Sequence, residues 1–165
     1  MENNDILIRL RYALEIKNKE MAEIFKLGGM EVTVPEVIKI LTKSDEEAEY
    51  DDQMKVNNSM LDLFLNGFII FKRGKQEPKP GQSDTPEPTI KRTANVNNLL
   101  LKKVKIALAL TTEDMLEIFE NAGITVTKGE LGALLRKEGH KNYKECGDKY
   151  ARNFLKGLAL KYRVS

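Results

Sequence analysis

Sliding the chain along itself by 94 positions lays its first half on its second, and this duplication constrains the fold more than any single motif. Asn3-Asn4 falls on Asn97-Asn98, Ala13-Leu14 on Ala107-Leu108, and Met21, Glu23, Ile24 and Phe25 on Met115, Glu117, Ile118 and Phe119. The register continues without a gap through Gly29 on Gly123, Val32-Thr33 on Val126-Thr127, Glu36 on Glu130 and Leu41 on Leu135. The second copy is then four residues shorter, so Phe64-Leu65, Gly67 and Arg73 meet Phe154-Leu155, Gly157 and Arg163 at an offset of 90. A unit of about 70 residues is therefore written twice. A domain of that size buries only about 60% of its unfolded surface and is marginal alone, which favours docking of the copies or dimerisation.

Four of the five prolines (Pro78, Pro80, Pro86 and Pro88) lie between the copies in a stretch with almost nothing apolar. Such a spacer stays extended. It divides the chain into a first repeat, 1–74, a Pro-rich linker, 75–94, and a second repeat, 95–165.

Apolar spacings of three and four predict an all-α fold of two homologous four-helix repeats. Helix one is expected over about 5–16, on Leu7, Leu10 and Leu14, and again over about 99–110, with the Asn-Asn pairs as N-caps. Helix two carries Met21, Ile24 and Phe25, or Met115, Ile118 and Phe119, opens in the second copy on a Thr111–Asp114 capping box, and stops at Gly28-Gly29 or Gly123. Helix three opens on Thr33 with Glu36, and Thr127 with Glu130, the spacing of a capping box. Helix four, the longest and most apolar, is expected to be central. Glycine inside a helix costs about 1 kcal/mol against alanine, so Gly67 and Gly157 predict a close helix crossing in both copies. Stretches 30–34 and 124–127 are the only β signal, one short strand each.

Helices two and three form a helix-turn-helix-like hairpin. Its turn, about 28–32, is longer than DNA-reading hairpins use, and Glu36 or Glu130 near the head of its second helix would face phosphates unfavourably.

Several function classes are excluded on composition. No apolar run approaches the roughly 18 residues of a membrane span, and Glu2 and Asp5 stand where a signal peptide would be basic and then apolar, so a cytoplasmic protein with no membrane role is expected. One cysteine, Cys146, and one histidine, His140, exclude an internal disulfide, paired Cys-x-x-Cys zinc sites and a His-rich metal cluster, and no metal or cofactor is expected. Arg73-Gly74-Lys75 lacks the upstream glycine and following hydroxyl of a phosphate loop, and the acidic run lacks the glycine of a calcium loop. His140 and Cys146 stand in no thiol-enzyme context, so no catalytic residue is assigned and the chain is expected to be no enzyme.

A net charge of +2 hides a division: residues 1–74 carry −4, 75–90 carry −1 and 91–165 carry +7. On the second helix four, Lys149, Arg152 and Lys156 share a face where the first has Ser59, Asp62 and Asn66. Lys141, Tyr143 and Lys144 precede it, and cations beside an aromatic suit phosphate contacts with base stacking. These six residues are the candidate nucleic-acid surface. The alternative is a protein-interaction adaptor, with an apolar groove between helices and an acidic loop of Asp45, Glu46, Glu47, Glu49, Asp51 and Asp52. A solvated basic face, or one that answers the chain's own acidic loop, is the bland counterpart of both.

Asn-Asn-Asp-Ile-Leu at 3–7, Arg-Tyr-Ala-Leu at 11–14, His-Lys-Asn-Tyr-Lys-Glu-Cys-Gly-Asp at 140–148 and Phe-Leu-Lys-Gly-Leu at 154–158 make the chain resemble the YehS-like bacterial proteins. That resemblance covers nearly the whole chain and implies a tandem domain of unknown function (number 1456). It supplies no activity, cofactor or catalytic residue.

Overall fold

The computed structural model describes residues 1–42, 53–74, 95–137 and 139–163, and all regular structure among them is helical. The first repeat forms α1 (Asn3–Leu14), α2 (Asn18–Leu27), α3 (Val34–Leu41) and α4 (Asn58–Arg73). The second forms α5 (Val96–Ala107), α6 (Thr112–Asn121), α7 (Lys128–Leu135) and α8 (Asp148–Tyr162).

The expected hydroxyl–carboxylate caps are present. Thr33 Oγ1 accepts from the Glu36 N–H at 3.2 Å while Glu36 accepts from the Thr33 N–H at 3.0 Å, and Thr111 with Asp114 repeats the pair at 3.1 and 2.9 Å. Those backbone N–H groups hold both carboxyls below their ordinary range. At α7 the cap is half made, Thr127 accepting from the Glu130 N–H at 3.1 Å.

Two local expectations are corrected. Stretches 30–34 and 124–127 form no strand; each leads into a helix through a threonine cap in extended backbone, and among the described residues no strand pairing forms. The Asn-Asn pairs lie inside α1 and α5 rather than capping them, and Glu2 and Asn95 occupy the N-cap positions. A cap uses one side-chain oxygen, whereas within the helix these amides reach across the repeat with donors and acceptor together.

Each fourth helix packs on the second helix of its own repeat and on the first helix of the other: α4 on α2 and α5, α8 on α6 and α1. The repeats thus exchange partners about an approximate two-fold relation and share one apolar core. Repeat-equivalent residues mark its register: Arg73 Nη1 donates to the Ile106 carbonyl at 3.2 Å, and Arg163 Nη1 to the Tyr12 carbonyl at 3.1 Å. Arg163 also lies 4.0 Å from the centre of the Tyr12 ring.

The close crossing predicted by the glycines is there. A Cβ on Gly67 would stand 1.9 Å from the Ile24 carbonyl oxygen, and one on Gly157 2.0 Å from that of Ile118. Between α4 and α5 the interface also buries charge: Lys103 donates to the Asp62 carboxylate and, at 2.6 Å, to the Asn66 side-chain oxygen.

Candidate nucleic-acid interface

The candidate basic face begins in the turn between α7 and α8. His140 shapes that turn, its Nδ1 accepting from the Asn142 N–H at 3.0 Å and its carbonyl from the Tyr143 N–H at 2.9 Å. The next residues are held from below by the side chain of Asn98. Its amide donates to the Leu134 and Lys144 carbonyls at 2.8 and 2.9 Å, and its oxygen accepts from the Cys146 N–H at 2.8 Å. Asn97 adds bonds to the Cys146 carbonyl at 3.1 Å and the Asp148 carboxylate at 2.9 Å.

The first repeat builds the same staple. Asn4 donates to Ile40 and Met54 and accepts from Val56, and Asn3 donates to Val56 and Asn58, each partner the repeat equivalent of its counterpart. The duplicated Asn-Asn pair was the sequence signal for this device. Its reach of some 50 residues along the chain could not be read from spacing.

Cys146 is the repeat equivalent of Val56 and, like it, is buried in the core. Burial pushes its thiol up to about 12, with Asp148 adding to the effect, the reverse of an activated thiolate. Cys146→Val is therefore expected to leave the fold intact and shift Tm by only a few degrees. In the native protein a disulfide-exchange reagent should find the thiol unreactive, and in denaturant it should react stoichiometrically; rapid native reaction would contradict the core role.

On this support the basic side chains project outward. Lys141 and Lys144 are exposed on the connection, Tyr143 is half-buried, and the Lys144 ammonium stands 5.4 Å from the centre of the Tyr150 ring, which ties the connection to α8. Lys149, Arg152 and Lys156 are all exposed along one face of α8. The acid at the head of that helix, Asp148, is engaged by the Met1 ammonium at 2.6 Å and by Asn97, and these bonds hold its carboxyl below the ordinary range. The acidic candidates Asp45, Glu46, Glu47, Glu49, Asp51 and Asp52, and the linker, lie outside the described residues. Among the described residues no group of three or more His, Cys, Asp or Glu side chains is placed to hold a metal ion, and no helix is long and apolar enough to cross a membrane.

The profile of a family described as a protein of unknown function, DUF1456, matches residues 3–74 and 97–163. An uncharacterised protein of Escherichia coli K12, YehS, is 39% identical over 164 residues, 99% of this chain and 98% of that one. No solved structure matches the chain.

Proposed function

The chain belongs to the DUF1456 family, whose description assigns no activity, and from its surfaces we propose that it is a non-catalytic, cytoplasmic nucleic-acid-binding protein whose second repeat grips the phosphate backbone. The observation that carries this reading is the exposed face of α8, where Lys149, Arg152 and Lys156 replace the Ser59, Asp62 and Asn66 of α4. Two repeats with one fold thus carry opposite charge, which packing alone does not require. Lys141 and Lys144 extend the face, and Tyr143 supplies a ring on which a base can stack. The Asn98 bonds to residues 144 and 146 beneath them matter physically, because a preordered surface loses less entropy on binding. The helix-turn-helix-like hairpin is not the reading element: Glu36 is committed to its cap, and the cations gather elsewhere.

The test is fluorescence anisotropy of labelled single-stranded RNA, single-stranded DNA and duplex DNA with the full chain at low and near-physiological salt. Binding is expected, with affinity falling linearly in log–log form as salt rises, since phosphate contacts release counterions. Reversing charge at Arg152→Glu and Lys156→Glu together should weaken it at least about tenfold and lower the salt slope by about two. Absence of binding to all three probes at low salt would reject the proposal.

A further inference from the structure

The approximate two-fold relation makes a specific comparison possible. It carries Lys103 onto Arg9, Asp62 onto Arg152 and Asn66 onto Lys156, by the same offsets of 94 and 90 that relate the repeats. At the α4–α5 seam these positions form a bonded set: the buried Lys103 ammonium donates to the buried Asp62 carboxylate and to the half-buried Asn66 amide oxygen. At the α1–α8 seam the same positions hold three cations, and all three side chains are exposed. The matched bonds of Arg73 to Ile106 and Arg163 to Tyr12 set the two seams in the same register, which places Arg9 on α1 at the position opposite Arg152 and Lys156 of α8 that Lys103 holds opposite Asp62 and Asn66.

Arg9, Arg152 and Lys156 form no ion pair with a described residue, and the one carboxylate on α8, that of Asp148, feels Arg152 but is engaged first by the Met1 ammonium and Asn97. Three like charges along one seam repel one another, and an anion with several oxygens relieves that repulsion while accepting from all of them. The seam that is closed by an internal anion in one half is left open to an external one in the other.

We infer that Arg9, Arg152 and Lys156 form a single phosphate site astride the α1–α8 seam, where a nucleic-acid backbone lying on α8 crosses onto the first repeat. The inference rests on the nucleic-acid reading above and adds to it a residue of the acidic repeat, Arg9. A phosphodiester suits the site because two guanidinium groups offer paired N–H donors to its oxygens and the lysine adds a point charge.

The experiment uses the full chain, the same three labelled oligonucleotides, and variants at Arg9 and at Lys26, an exposed lysine of α2 in the same repeat. Arg9→Ala should weaken binding about three- to tenfold and lower the salt slope by about one, with Lys26→Ala close to wild type. Arg9→Glu supplies the missing anion from within. It should raise Tm by about 1–3 °C while weakening binding more than tenfold, whereas Lys26→Glu should not raise Tm. Arg9 variants that match the Lys26 variants in binding and in Tm would overturn the seam site and leave the α8 reading standing. Failure of the wild-type chain to bind any probe would overturn both.

Discussion

Replacing Gly67 with alanine is expected to destabilise the protein by about 3 kcal/mol, although alanine is the better helix former by about 1 kcal/mol. The new methyl would lie 1.9 Å from the Ile24 carbonyl oxygen and 2.7 Å from the Gly28 nitrogen, both backbone atoms that no rotamer change can move aside. Relief requires α4 to lift from α2, and Phe25 and Phe64, whose ring centres are 4.9 Å apart at that crossing, would lose contact with it. Gly132→Ala on α7 is the control, because nothing stands within 4 Å of its added Cβ. That change should stabilise by up to about 1 kcal/mol through helix propensity alone. Urea unfolding of the two variants measures both signs. Equal midpoints for Gly67→Ala and the wild type would mean that the helices cross more loosely than described.

Asp62→Ala should cost about 3–5 kcal/mol, a large part of the 5–15 kcal/mol by which most domains are stable, because it removes the carboxylate that answers the buried Lys103 ammonium. Desolvation already holds Lys103 below the ordinary lysine range, and Asp62 opposes that shift. In the variant the folded-state value falls further. A lysine whose folded value is depressed binds fewer protons folded than unfolded, so stability rises with pH between the folded and unfolded values. The deficit of Asp62→Ala is therefore expected to be largest near neutrality and to shrink as pH climbs toward about 10. Pairing Asp62→Leu with Lys103→Met should recover most of the loss, since apolar groups of similar volume replace a buried ion pair at little cost. Thermal unfolding across that pH range checks the sign. A deficit that grows with pH, or a double variant no better than the single, would show that the pair is not the buried contact described.

Much of the fold was written locally. The 3.6-residue stripes, the threonine–carboxylate caps and the glycine stops place the eight helices of the described residues, because each depends on residues within a few positions of one another. The recurrence of Gly67 and Gly157 announced a close crossing, because a helix keeps a costly glycine where a neighbouring backbone leaves no room for more. The basic face of α8 was equally legible, since three cations at spacings of three and four must share a side of any helix.

The Asn pairs show where local reasoning stops. Asparagine before an apolar stripe reads as a cap, yet Asn4 and Asn98 reach main-chain partners 36 to 52 residues away, and only the closed repeat brings those partners within range. Cys146 likewise showed in the sequence only as a lone thiol outside any thiol-enzyme context, and its burial at the place of Val56 goes with that same staple.

Spacing and side-chain chemistry along the chain dictate the helices, the ends that carry threonine caps, the duplication and the charge division. Tertiary structure alone decided which helix covers which: an apolar stripe specifies that a face is buried, not what buries it, and either copy of helix one satisfies either helix four. That exchange turned Lys103 from an unremarked lysine into half of a buried pair with Asp62. Charges far apart along the chain acquire a common energy only when packing brings them within a few ångströms, because Coulomb interactions across water are weak at longer range.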